Sequence, residues 1–465
     1  MTATSSPPTN LDLDALRRAV SGDVIAPGDA EYDAARTVVT GGIDRHPAAI
    51  VRVADAPDVA AAIRIARGND LEIAVRSGGH SGAGHSTTEG GLVIDLAKLN
   101  SIELDTANGT VWAGAGLTAR ELSEAVAKDG LAIGFGDTGS VGIGGITLGG
   151  GVGYLVRKFG LTIDNLLAAE IVTADGEVLQ VDGSNHPDLF WALRGGGGNF
   201  GVVTRFRYKL SSVAQTVGGM LFLPATAETV AGWISASEAA PEELSTIANV
   251  MPAPPMPFFK DDQVGKLAIF GILLYAGDAE EGEKAIAPFR ALAEPIADFV
   301  HPMPYPEIYP PDDPEYHPLA IARTMFVDRV DRAVAEAIVE HLGKSDAAIR
   351  VAQLRVLGGA MARIPADATA FAHRSSKIMV NVASFYEGDE DKPRREAWVE
   401  EFVRILQQDD HGVYVNFLVD EGEERIRAAY PGATWDRLRE IKRQYDPDNV
   451  FRLNQNVPPA RVAGA

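Results

Sequence analysis

Two histidines stand inside one glycine-rich run, RSGGHSGAGHS (76–86), directly after the strand-like LEIAVRS (71–77). An imidazole can serve as a base, a nucleophile or a metal ligand. The chain has no cysteine, so thiolate metal sites, disulfides, iron–sulfur clusters and cysteine nucleophiles are excluded, and no metal site is read from the sequence. Glycine here has a chemical meaning. It permits close backbone approach and positive φ, so that successive N–H groups can converge on one anion. Two more such runs follow, GDTGSVGIGGITLGGGVGY (136–154) and LRGGGGNFGVV (193–203). One glycine loop closes a tight turn; three in one region suit a diphosphate held by backbone dipoles rather than by lysines.

A third kind of candidate lies near the C-terminus. GVYVNFLVD (412–420) alternates, which predicts a strand with Tyr414 and Asn416 on one face and Val413, Val415 and Phe417 on the other.

The elements that must position these residues are legible in part. Residues 59–67 carry apolar side chains at helical spacing, and GLVIDL (91–96) and TVWAGAG (110–116) predict strands. TARELSEAVAKDG (118–130) predicts a helix with Thr118 as N-cap and Glu121 completing a capping box. A hairpin is expected at Asp175-Gly176, between AEIVTA and EVLQV. Beyond residue 211 helical patterns such as 330–344 alternate with strands such as KIMVNVASFY (377–386), on which Asn381 is either a pocket residue or a satisfied strand amide. The proline-rich stretch 301–318 reads as an irregular surface loop.

At 465 residues, the chain is expected to hold two or three domains. A net charge of −22 argues against nucleic acid and anionic membranes. No basic-then-apolar leader opens the sequence and no run approaches eighteen apolar residues, so a cytoplasmic protein is expected.

GAGLTA (114–119) fits a dinucleotide fingerprint, with Asp137 some distance on. A nicotinamide-binding fold would need repeated β-α-β units around it, and the surrounding pattern does not supply them.

RSGGHS, the glycine pattern of 142–154, RKFGLTIDNLLAAEIVTADG, DLFWALRGGGGNFGVV and the tail YDPDNVFRLNQNVPP, in that order, together resemble the FAD-linked oxidases of the vanillyl-alcohol oxidase superfamily, in its berberine-bridge-enzyme-like branch. The resemblance implies an α+β fold: a PCMH-type FAD-binding domain of two α+β subdomains (1–211), an inserted α+β substrate domain with an antiparallel sheet (212–411), and a C-terminal return to the FAD-binding domain (412–465). It implies FAD bound covalently through His80, with His85 a polar loop residue beside it. Arg76, Ser77, Gly78, Gly79 and Ser81 would wrap the pyrophosphate and ring edge. Thr138, Gly139, Ser140, Gly142, Gly144 and Gly145 would complete the cradle, Val203 would pack on the adenine side, and Asn454 and Asn456 would reach the ring from the C-terminus. Arg194 is read as a turn-holder that bonds carbonyls.

Many relatives carry a second, cysteinyl tether where this chain has Thr138, so a doubly linked flavin is excluded. Val141 matches a position that in the family gates oxygen, and valine there resembles the oxidases. The family's usual base tyrosines match Phe417 and Val152, both apolar here. Either Tyr414 takes the proton, with Asn416 beside it, or it is a core tyrosine and the substrate is an amine that needs no base. The expected activity is hydride transfer from a small alcohol or amine to FAD, with O₂ as acceptor and H₂O₂ as product. A dehydrogenase of the same fold and a non-catalytic flavin-binding protein are the alternatives.

Overall fold

The computed structural model describes residues 11–213 and 215–461. Three sheets organise it. The first orders Asp23–Ile25, Ala49–Arg52, Leu92–Asp95 and Ile73–Arg76; the first pair in that order is antiparallel and the other two are parallel. A parallel neighbour requires a crossover, here made by the helix Ala56–Gly68, whose N-terminus is capped by the Asp55 side chain and whose alanine-rich face is buried. The second sheet, Ile102–Asp105, Thr110–Gly114, Val202–Lys209, Leu166–Val172 and Val178–Asp182, is antiparallel throughout. Its last hairpin turns at Gly176, with φ +80°. The helix Ala119–Ala127 starts with the expected Thr118–Glu121 capping box.

The third sheet has eight strands, of which Thr216–Pro224, Leu267–Ala276, Leu244–Pro252, Arg350–Val356, Ile378–Phe385 and Ala320–Val327 are the long ones, in that spatial order. Period-two alternation gives it two unlike faces. One buries Leu221, Leu273, Leu354 and Val380 against helices bearing Trp233, Phe289, Ile338 and Phe402. The other turns toward the first two sheets: Ile247 and Leu274 join their core, and Phe326 and Met379 pack with Val152 and Tyr414. Mixed α+β architecture with an antiparallel eight-stranded sheet agrees with the sequence expectation. Among the described residues, no helix is long and apolar enough to cross a membrane.

Three readings are settled by this architecture. In GAGLTA, a Cβ on Gly114 would fall 2.1 Å from the Leu99 carbonyl and one on Gly116 would fall 1.9 Å from that of Leu96. These glycines let two backbone segments touch, and the flanking strands are antiparallel, so there is no dinucleotide fold here. The proline-rich stretch is only half a surface loop. His301–Met303 pairs with Thr216–Gly218, Tyr305–Ile308 forms a largely buried 3₁₀ turn, and residues 310–317 form the one long continuous exposed run of the stretch. Residues 412–420 do not form the predicted strand. After an extended Tyr414, Val415–Phe417 closes a 3₁₀ turn because the Phe417 N–H bonds back to the Tyr414 carbonyl (3.0 Å).

Candidate functional site

The three glycine runs meet. A Cβ on Gly142 would lie 2.1 Å from the Gly78 nitrogen, and one on Gly78 would lie 2.2 Å from the Gly142 nitrogen. Only two glycines allow the first and second loops to pack backbone on backbone. Ser77 Oγ ties the joint, donating to the Ala115 carbonyl (2.7 Å) and accepting from the Gly144 N–H (3.3 Å). The second loop reaches the third through the Leu148 carbonyl, which accepts from the Gly195 and Gly197 N–H groups at 3.0 and 2.9 Å.

Together they wall a cavity of about 330 Å³. Of the residues expected at the cofactor, Ser77, Gly78, Gly79, His80, Ser81, His85, Thr138, Val141, Gly142, Gly144, Gly145, Val203 and Asn454 all lie on its wall, and so does Asn416. Four expected residues do not. Arg76 is buried in an ion pair with Asp95 on the neighbouring parallel strand (2.8 Å), which fixes the start of the loop instead of facing the cavity. Gly139 packs on the Arg120 guanidinium and gives its carbonyl to the Arg120 N–H. Ser140 presents its carbonyl toward Gly78. Asn456 sits behind the wall, where its neighbour Gln455 reaches the cavity and donates to the Leu418 carbonyl (2.9 Å).

Tyr414 is also off the wall. It is 1% exposed, and its phenol oxygen accepts from the Gly151 N–H (3.0 Å), the Val152 N–H (3.2 Å) and Asn416 Nδ2 (2.8 Å). Burial pushes its pKa up, against the pull of those three donors. Tyr414 is therefore a clamp on the Gly150–Val152 turn, and the residue it delivers to the cavity is Asn416, whose Nδ2 also donates to the Ile146 carbonyl (3.0 Å). Arg194 behaves as read: it bonds the Phe190 and Ala368 carbonyls and stacks over Phe190.

The C-terminal tail is locked to the third loop by a buried cation. Lys442 Nζ, wholly enclosed, donates to Asp446 (2.6 Å), the Asn199 carbonyl (2.7 Å) and the Phe451 carbonyl (2.9 Å). Burial lowers its pKa and Asp446 opposes the shift. Phe451, Leu453, Asn454 and Gln455 then reach the wall.

Sequence reasoning missed Asp137 as a wall residue. Its carboxylate pairs with Arg355 of the eight-stranded sheet, and Arg355 Nη1 donates to the Val152 carbonyl (2.8 Å). It also passed over Phe451, Gln455, Gly198 and Gly201 on the wall, although the last two fall in a glycine run already singled out.

The wall suits a flavin dinucleotide. It has no lysine or arginine, so charge on a bound diphosphate must be met by N–H groups. Cβ atoms on Gly145 and Gly198 would point into open space, which leaves their backbones bare to a ligand. His80 Nε2, Asn454 Oδ1 and Asn456 Oδ1 are buried without a hydrogen-bond partner among the described residues, and such orphans call for one. Burial lowers the pKa of His80, against the Ser140 backbone, and takes His85 down to about 4. Both imidazoles are neutral at neutral pH.

Family models agree with this geometry. "FAD binding domain" matches residues 47–182, and "Berberine and berberine like" matches 413–458. (R)-6-Hydroxynicotine oxidase of Paenarthrobacter nicotinovorans is 31% identical, over 95% of this chain and 97% of its own length. Crystalline 6-hydroxy-D-nicotine oxidase from Arthrobacter nicotinovorans superposes with a TM-score of 0.85 at 28% identity, covering 99% of this chain and all of that one. Xylooligosaccharide oxidase from Myceliophthora thermophila, solved with xylobiose, gives 0.83 at 25% identity over 97% of this chain and 100% of that one.

Proposed function

The chain belongs to the berberine-bridge-enzyme-like FAD-linked oxidoreductases, and from its site we propose that it is an oxidase: it takes a hydride from a small alcohol or amine onto FAD tethered through His80 and hands the electrons to O₂, releasing H₂O₂. The observation that carries the reading is His80. Its Nε2 is buried and unpartnered on the wall of a glycine-lined cavity, and its imidazole is neutral. A neutral ring nitrogen is the nucleophile that a histidyl bond requires.

When bound, FAD supplies the hydride and electron chemistry. The protein's share is holding and shielding. Ser77, Gly78 and Gly142 bring the first two loops into register, and Gly145 and Gly198 offer bare backbone to the diphosphate. Asn416, Asn454 and Gln455 present amides from the C-terminal side. Val141 lies on the wall, and the small side chain at this position supports O₂ as the acceptor. Tyr414 is committed to the turn, and Phe417 and Val152 carry no proton acceptor. A substrate that needs no base, such as a free amine that gives up hydride and leaves as an iminium, fits this wall best. Residues 1–211 and 412–465 make the FAD-binding part in this reading, and 212–411 the substrate part.

The test is a denaturing gel viewed under ultraviolet light after acid treatment. A fluorescent band is expected in the wild-type protein and none in His80→Ala. Flavin freed into the supernatant of the wild type would remove the tether; a protein without flavin would remove the oxidase.

A further inference from the structure

The eight-stranded sheet turns one face toward the cavity, and that face carries a row of carboxamides. Asn249, Gln353 and Asn381 are paired in register across three neighbouring strands, with Thr324 next on the fourth. Adjacent strands are about 4.8 Å apart, so the three amides span roughly 10 Å. Alternation puts Gln353 on the same face as Arg355, and Asn381 on the same face as Met379, each two residues away. Arg355 holds Asp137 on the cavity wall, and Met379 packs with Val152 and Tyr414. The amide row is therefore one strand period beyond the residues that back the cavity wall from the sheet side.

Its chemistry is specific. Gln353 Nε2 donates to Asn249 Oδ1 (3.0 Å), and Asn249 Nδ2 reaches the Phe270 carbonyl (3.3 Å). Asn381 Oδ1 is buried and unpartnered among the described residues. All three amides are only half-buried as residues, as are their same-face neighbours Met251, Ile272 and Val351. Of the charged side chains on the six long strands, only Arg355 lies on this face, and it is spent on Asp137. Arg323 and Arg350 belong to the opposite face, where they bond Glu400 and the Leu342 carbonyl. Arg425 touches the edge strand but is paired with Glu421.

We infer that Asn249, Gln353 and Asn381 read the substrate, and that it binds in an uncharged form, with a hydrogen-bonding group on the row and an apolar body on Ile272, on the cavity side of it. The inference deepens the oxidase reading and rests on it for the identity of the cavity. A desolvated carboxylate or ammonium would find no counter-charge on this face, whereas a neutral amide, hydroxyl or free amine finds both donors and acceptors.

Three probes of one shape separate the possibilities: nicotinamide, nicotinate and 3-picolylamine, titrated by calorimetry at neutral pH into the flavin-loaded protein. Nicotinamide is expected to bind at least tenfold more tightly than either charged analogue. Gln353→Leu should weaken nicotinamide at least tenfold with flavin content unchanged. Gln353→Glu should instead bring in the picolylammonium, which a merely structural glutamine would not do. Equal or tighter binding of a charged analogue, no binding by any of the three, or an unaltered Gln353→Leu would overturn the assignment. Flavin content, read by absorbance beforehand, reports on the oxidase reading separately, because calorimetry needs no bound chromophore.

Discussion

The cavity and the sheet face that overlooks it are built from different material. At the cavity the backbone does much of the work: glycines 78 and 142 pack nitrogen against Cβ position, and glycines from all three loops line the wall. On the sheet the backbone is committed to its ladders, and chemistry is left to side chains at register positions such as 249, 353 and 381. A surface of the first kind should tolerate almost no change at a few glycines. A surface of the second kind should be retuned by single substitutions without loss of fold.

Gly142→Ala should give the largest effect. The added methyl meets the backbone nitrogen of Gly78 at 2.1 Å and, at the same distance, Ser77 Oγ, which the Ala115 carbonyl holds in place. One loop must move off the other, at a cost of about 4 kcal/mol, the upper end of what overpacking does. Urea unfolding should show that loss, and the purified variant should carry little flavin. A variant with near-native midpoint and full flavin content would mean that the loops are not locked backbone to backbone.

This contrast also explains what the sequence disclosed. The glycine runs, the Thr118 capping box and the Gly176 hairpin are local signals, readable within a few residues. So was His80. Asp137 was visible only as an acid in a glycine run, because its partner Arg355 lies 218 residues away. Tyr414 and Asn416 were read from alternation as strand neighbours. The segment instead closes a 3₁₀ turn, and the pair is joined by a hydrogen bond and not by a shared strand face. Arg76 looked like a cofactor residue by adjacency, yet a parallel register set it opposite Asp95. The amide row has no sequence signature, since three strands from distant segments must be aligned before it exists.

Acid should sharpen the difference between the two regions. His85 titrates near 4 when folded, because burial disfavours its charged form, against 6.5 for the free side chain. Between these values the unfolded chain binds a proton that the folded one refuses, so stability falls as pH drops from 6.5 to 4 and is unaffected by His85 above that window. At 1.36 kcal/mol per unit, the loss approaches about 3 kcal/mol. His80 is shifted in the same direction. The amide row on the sheet has no group that titrates there. His85→Gln should flatten the pH dependence of the urea midpoint across this window. An unchanged slope would place the acid sensitivity elsewhere.

The smallest effect tests the sheet with the same chemical change. A Cβ on Gly271 would fall 2.0 Å from the indole edge of Trp233, as close a contact as the one Gly142 would make in the cavity loops. Here the obstacle is a side chain. Trp233 is fully buried and set edge-on to Phe289 (centroids 4.8 Å apart), so it can tilt only by repacking that pair. The cost should be about 2 kcal/mol, within the usual range for an inserted methyl. Gly271 contacts the helices, not the amide row, and its neighbours in register, Leu221 and Ala248, lie on that buried side. Gly271→Ala should therefore lower the unfolding midpoint by about half as much as Gly142→Ala while leaving flavin content and nicotinamide binding unchanged. If it cost as much, or emptied the cavity of flavin, backbone and side-chain contacts would be equally rigid in this molecule, and the two regions would not differ in the way their construction implies.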